Sequence, residues 1–201
     1  MRGNGTGLFR IRSADTIMKH PSTREFFAYW DEKRGHARAP DRSDIDPTAV
    51  RELLGDIFVL SYGETRGFPF RVAGTRVCAL LGRDLKNTCF SALFAEDGRS
   101  EIDDIVTVVA EETLAAVVGL TARREDASQA RLELLLLPFN SRPHTPVSIT
   151  GVLAPFHREH GRLDALKPTS WRYLYPPGGL LPRIVRKLKV ARGFMVYEGL
   201  R

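Results

Sequence analysis

The order of apolar segments constrains this chain more than any single residue does. Two strand-like runs, DIFVLSY (56–62) and FPFRVAG (68–74), stand close together, with Gly63 to Gly67 as the turn of a hairpin. Three more, VVGLTARRED, ARLELLLLPF and PVSITGVLAPF, follow only after a long stretch with helical spacing. Two strands make no stable layer alone. The simplest closure therefore lays the last run beside the first, in one five-stranded antiparallel sheet with the run at Ile57–Tyr62 between those at Phe68–Ala73 and Val147–Pro155. These runs are too apolar to be left wet, so the helices between strands two and three must cover one face. The expected class is α+β.

Local signals mark the other elements. Ser22 followed by Glu25 reads as a capping box opening a helix whose buried stripe is Phe26, Phe27 and Trp30, with Gly35 as its stop. Asp46-Pro47 reads as N-cap and first position of a short helix through Leu54. In FPFRVAG, alternation sends Phe68, Phe70 and Val72 inward and Arg71 outward. A short helix follows Gly74-Thr75, with Val77, Leu80 and Leu81 on one side and Gly82 as its C-terminal stop. CFSALF makes another helical turn. Ile102, Ile105, Val106, Val109, Thr113 and Ala116 form the stripe of a longer helix with an acidic outer face.

The 201 residues are enough to bury a core without disulfide staples, and the only cysteines, Cys78 and Cys89, fit no zinc spacing and read as reduced core residues. No segment looks like a signal peptide, and LELLLLPF, interrupted by Glu133 and Pro138, is too short to cross a membrane. A cytoplasmic location is expected. The formal charge is +6, but from His157 onward ten Lys/Arg face three Asp/Glu, while the first 156 residues are nearly neutral. The chain thus divides into an N-terminal arm (1–21), read as floppy, a neutral body (22–156) and a basic C-terminal extension (157–201).

The succession of elements resembles a PAS domain. FRVAGTRVCALLGRDL is similar to the PAS stretch in which the second strand runs into a short helix and ends on a Gly-[Arg/Lys]-x-Leu turn. The ordered elements W-x-x-x-RG, DIDP, R-x-AGT and GRDL resemble one bacterial group of single-PAS proteins formerly catalogued as a domain of unknown function. The resemblance covers about Ser22 to Phe156. It implies a sensory or regulatory module, and fold alone does not settle function.

It also implies an internal space between the short helix and the sheet, lined by Phe58, Phe70, Val72, Thr75, Cys78, Leu80 and Phe94. The same large apolar residues are equally able to fill that space themselves. Haem needs an axial His, Cys or Met at such a cavity, yet none of the five histidines falls between Gly74 and Gly119. NTCFSALF only partly echoes the cysteine signature of light-sensing flavin domains, lacking its Arg and Gln. Neither cofactor is expected. HREH (157–160) offers two metal ligands without a third, and Ser148, His157 and Asp164 lack the surroundings of a catalytic set, so no metal site and no enzyme are expected.

Two further groups of residues stand out. Arg42, Asp44, Asp46, Arg71, Arg76, Arg83 and Asp84 form a charged patch around the hairpin and short helix. One reading is a binding surface for an anionic ligand or partner. The other is a lattice in which Arg71 and Arg76 pair with Asp44 or Asp84 and pin the PDRSDIDP loop to the sheet. In the tail, Leu181, Ile184, Val185 and Leu188 recur at helical spacing among Arg183, Arg186, Lys187, Lys189 and Arg192, which reads as a short basic amphipathic helix. It would dock on an anionic surface such as the inner membrane, on nucleic acid, or on its own domain or a dimer mate. With no kinase, cyclase or DNA-reading motif in the sequence, the expected action is contact with a protein partner, the protein itself being a homodimer, with or without a small ligand.

Overall fold

The computed structural model describes residues 17–62, 68–141 and 147–174, and the backbone of two further strands at Val185–Ala191 and Phe194–Gly199. The elements run α1 (Pro21–Arg34), β1 (Ile57–Tyr62), β2 (Phe70–Ala73), α2 (Thr75–Leu81), α3 (Glu96–Glu111), β3 (Ala115–Arg123), β4 (Gln129–Pro138), β5 (Val147–Pro155), β6 (Asp164–Leu174), β7 (Val185–Ala191) and β8 (Phe194–Gly199), with 3-10 turns at Arg42–Asp44 and Phe90–Leu93.

β1 to β6 make one antiparallel sheet in the order β2-β1-β5-β4-β3-β6. β1 lies between β2 and β5, as the hairpin-and-closure argument requires. The sixth strand comes from the segment after residue 156, which pairs along β3 from Ala115↔Leu174 to Arg123↔Asp164. Its sequence hides it. Lys167, Pro168 and Thr169 break any apolar alternation, and Pro168 is tolerated because β6 is an edge strand.

Both faces of the sheet are covered. On one, α2, the Phe90–Leu93 turn and α3 pack their apolar stripes, Val77, Leu80 and Leu81, then Phe90 and Leu93, then Ile102, Ile105, Val106 and Val109, over Phe58, Leu60, Phe70, Leu134 and Leu136. On the other, α1 and the 45–57 segment set Phe26, Trp30, Val50 and Leu53 against Val117, Leu135, Leu137 and Val152. β4 serves both layers, which is why LELLLLPF is apolar at odd and even positions alike.

Local chemistry shifts several expected boundaries. α1 begins at Pro21 rather than Ser22. His20 is its N-cap, and its Nδ1 accepts from the Ser22 N–H at 3.2 Å. Arg34 closes the helix: its Nε donates to Asp31 at 2.6 Å, one amino group donates to the Ala37 carbonyl at 3.0 Å, and the guanidinium lies over Trp30. The W-x-x-x-RG element is therefore a helix terminator. Asp46 accepts from the Thr48 N–H at 2.8 Å as an Asx turn and caps no helix, because 47–56 forms successive i→i+3 turns.

The arm and tail also depart from expectation. Met18 is fully buried, with Ile17 and His20 half-buried beside it, and the arm before residue 17 lies outside the described residues. Val185–Ala191 is a strand paired with Phe194–Gly199, not part of a helix. Arg186, Lys187 and Lys189 stand in register opposite Glu198, Tyr197 and Val196, with an irregularity at Leu188. Val185 and Leu188 keep helical spacing, while Val185 and Val190 are β-branched residues that suit a strand equally. Leu181, Arg183 and Ile184 lie outside the described residues.

Candidate functional site

The space between α2 and the sheet is occupied by rings. Phe58, Phe70, Phe90 and Phe94 are each at most 2% exposed. Their centroids lie 5.6 Å (Phe58–Phe70), 5.5 Å (Phe58–Phe90), 5.6 Å (Phe70–Phe90) and 5.3 Å (Phe90–Phe94) apart, mostly edge to face. Such distances are direct contact, and no planar group fits between these rings. Opposite Phe58 in β5 stands Gly151. A Cβ there would lie 2.4 Å from the tip of the Phe58 ring, so the glycine makes the room that the ring uses.

The expected lining residues divide. Phe58, Phe70, Leu80 and Phe94 belong to this core, and Cys78 packs against it from a half-buried position. Val72 does not line it: half of its surface is exposed. The register slips between Val59 and Leu60, leaving Arg71 as an extra residue opposite the gap, so Arg71 and Val72 both face out. Thr75 is exposed at the start of α2. Phe90, absent from the expected set, touches three of the other rings. Its cue was only that CFSALF is a helical turn next to two aromatic strands. Cys78 and Cys89 are both half-buried thiols. Among the described residues no three metal-ligating side chains come together.

The charged patch does not form one surface. Arg76 binds Asp56, Nε to Oδ1 at 2.7 Å and an amino group to Oδ2 at 2.8 Å, and donates to the Glu52 carbonyl at 2.6 Å. The Asp56 hydrogen bond keeps the guanidinium's pKa above its ordinary value. The Gly55 carbonyl accepts the first free N–H groups of α2, from Arg76 at 2.9 Å and Val77 at 3.1 Å. A Cβ on Gly74 would sit 2.2 Å from the Leu54 carbonyl oxygen. The AGTR and LGD sequences are therefore two halves of one joint that seats α2 on the 53–56 turn.

The remaining acids serve their own turns. Asp44 accepts from the Asp41 N–H at 2.9 Å, and Asp84 from the Lys86 N–H at 3.0 Å. Arg42, Arg71 and Arg83 are exposed without an ion pair among the described residues. The PDRSDIDP loop is held by other partners than Arg71. Tyr29 Oη accepts from the Asp46 N–H at 2.9 Å, and Asn140 donates from its N–H to Pro40 at 3.0 Å and from its amide to Asp41 at 3.2 Å.

Two polar constructions had no counterpart in the expected sites. On the outer face of β4, Glu133 is 4% exposed. Its carboxylate accepts the Lys19 N–H at 2.8 Å, the His20 N–H at 2.8 Å and the Thr23 hydroxyl. It holds the start of α1 to the sheet through the N–H groups of the N-cap His20 and of Lys19 just before it. A lone acid inside an otherwise apolar strand was the available signal. Further on, Arg124 grips Glu159 with two bonds of 2.6 and 2.9 Å, tying the β3–β4 turn to the loop after β5. Arg124, and secondarily His157 and His160, hold the Glu159 carboxyl below the usual glutamate range.

Comparison with known proteins gives one family. The PAS domain profile matches residues 18–154. No curated protein matches the chain. Similar solved structures include a light-oxygen-voltage domain studied with a flavin analogue (16% identity over 55% of this chain and 84% of that one, TM-score 0.42). The dark-state Aureochrome1 LOV domain matches at 13% identity over 55% and 82%, TM-score 0.42. The Rhodobacter sphaeroides LOV protein matches at 16% over 57% and 70%, TM-score 0.39. The profile spans well over half of the chain, from the buried Met18 through all of α1 to the end of β5, and the chain belongs to the PAS domain family, a family of sensory modules.

Proposed function

We propose that this protein is a non-catalytic PAS regulatory module that acts by contact with a protein partner and carries no resident flavin or haem. The contact of Phe58, Phe70, Phe90 and Phe94 supports this reading most directly, because those side chains use the volume a prosthetic group would need. A closed centre leaves the surface and the attachment of α1 as the means of response. α1 is joined to the sheet by a small apolar cluster and by the Glu133 latch, so a partner that competes for either changes the helix without touching the main core. The test is absorption spectroscopy and native mass spectrometry on protein purified from its own host. The expected result is aromatic absorption only and the mass of the bare chain, as a homodimer. A flavin or haem spectrum, or the corresponding added mass, overturns the proposal.

A second reading is binding to an anionic membrane surface or to nucleic acid through the C-terminal hairpin. It is favoured by Arg186, Lys187 and Lys189 falling within one seven-residue strand. Such binding is strongly salt-dependent, and replacing the three by Gln removes it.

A further inference from the structure

Beside the Arg76–Asp56 joint, a cleft of about 600 Å³ opens between α2 and the loop that follows β5. Its floor is apolar: Ala79 and Leu80 of α2, Leu153 and Pro155 of β5, and Phe156. Its rim carries Arg76, Arg158 and Arg162. The two acids that border it are already engaged, Asp56 by Arg76 and Glu159 by Arg124. Asp164, two residues beyond, pairs with Arg123 at 3.4 Å, and Glu125, whose carboxylate lies beside Gly161, lines a second cleft that shares Arg162 but makes no ion pair with that arginine. Arg158 and Arg162 are exposed and have no ion pair among the described residues.

The rim is held in place before anything binds. The Leu163 N–H donates to the Leu80 carbonyl at 2.8 Å, fixing one end of the loop to the last turn of α2. The doubly bonded Glu159, its side chain 6% exposed, fixes the middle. The stem of Arg162 lies across Gly82, where a Cβ would come within 2.6 Å of its Cδ, and Gly82 also takes the left-handed conformation that ends α2 (φ 65°). The glycine of the GRDL element thus does two things: it stops the helix and it seats an arginine at the cleft.

We infer that this cleft binds a small organic phosphate, with its apolar body on the Leu80–Phe156 floor and its phosphate between Arg158 and Arg162. A phosphate monoester carries close to two negative charges at neutral pH, matching two guanidinium groups whose planar forks bind phosphate oxygens in pairs. The volume lies in the range of small-ligand sites, and an apolar floor with a few fixed polar groups is their usual make-up. The site goes beyond the function proposed above: it is on the surface, outside the aromatic core, and stands or falls independently of what that core contains.

Phenyl phosphate is the probe. Titrated into the full-length protein at low salt and followed by calorimetry and by amide NMR shifts, it should bind saturably and move resonances of residues 76–82 and 156–163. Inorganic phosphate, lacking the apolar body, and benzoate, with a single charge, should each bind more weakly. Arg158→Gln and Arg162→Gln should each weaken phenyl phosphate roughly tenfold, the loss of one charge-assisted pair. Ala79→Glu, at an exposed helix position, should abolish binding with both arginines intact, which covers the case of an arginine variant that folds poorly. Absence of saturable binding, equal affinity for phenyl phosphate and inorganic phosphate, or undiminished binding by the Arg158→Gln/Arg162→Gln double variant would overturn the assignment. None of those outcomes would bear on whether a cofactor occupies the interior.

Discussion

The two faces of the sheet are built on opposite principles. The face under α2 and α3 is joined by apolar contact alone at its centre, four phenyl rings with aliphatic side chains around them. The face under α1 has a smaller apolar cluster and a buried carboxylate whose bonds go to backbone N–H groups across the interface. The hydrophobic effect is non-directional, and a close-packed core costs much to open. A carboxylate latch is directional, and anything that supplies substitute donors weakens it. The first face is suited to keeping the domain folded and the second to letting one helix respond. The contrast can be broken by variants that fail to behave as their face requires.

The largest effect is expected at Phe90, which touches Phe58, Phe70 and Phe94. Phe90→Ala should cost about 3–5 kcal/mol by chemical denaturation, the range for emptying an aromatic core position. It should act on the whole domain, raising amide exchange in β1, β4 and β5 together. A loss below about 1 kcal/mol would mean that the centre is not close-packed, and the distinction between the faces would fail there.

Next comes the latch. Glu133→Ala removes a charged acceptor from two backbone N–H groups and from Thr23, and should cost about 1.5–3 kcal/mol. Its signature is local. Exchange should rise across 17–34, and the environment of Trp30, whose indole N–H donates to the Pro138 carbonyl at 3.0 Å, should change, while amides of α3 and β3 keep their protection. If the whole sheet loosened instead, Glu133 would be part of the common core, and α1 would not be separately attached.

These two constructions also show what the sequence could convey. The hairpin, the strand order, the helix-covered face and the GRDL stop follow from period, turn residues and chain closure, which are local signals plus one topological argument. The Val72 error follows from a single bulge, which no alternation reveals and which turns the rest of a strand over. β6 was missed because an edge strand needs little apolar alternation and accepts a proline. The Glu133 latch spans more than a hundred residues of sequence, as does the bond from Trp30 to Pro138. Partners so far apart carry no mutual spacing signal. The tail misled because the three-residue step from Val185 to Leu188 also fits a strand with an irregularity at Leu188.

A smaller effect tests the polar clamp beyond the latch. Glu159 has a folded pKa below its unfolded one, first because of its hydrogen bond to Arg124. Its contribution to stability is therefore complete above the ordinary glutamate range and disappears as the pH falls through the lowered folded value. Glu159→Gln should lower the melting temperature at neutral pH by about 2–4 °C, the shift for one net hydrogen bond in a chain of this size. In acid, below that folded value, wild type and variant should melt together. A difference that persisted or grew in acid would give the carboxyl some other role than pairing with Arg124.

The smallest effect is expected at Arg71, and it separates a surface residue from a member of either construction. A lattice reading of the sequence makes Arg71 the tie between the PDRSDIDP loop and the sheet, with a cost of roughly 1–3 kcal/mol on removal. In the structure that loop is held by Tyr29 and Asn140, while the bulge in β2 points Arg71 to solvent. Arg71→Ala should then change stability by no more than about 0.5 kcal/mol, as for other exposed positions. Tyr29→Phe, which removes the hydroxyl that accepts from the Asp46 N–H, should loosen residues 41–48 in amide exchange, where Arg71→Ala does not. The reverse order of the two variants would restore the lattice and place Arg71 among the residues that fasten the N-terminal segment to the sheet.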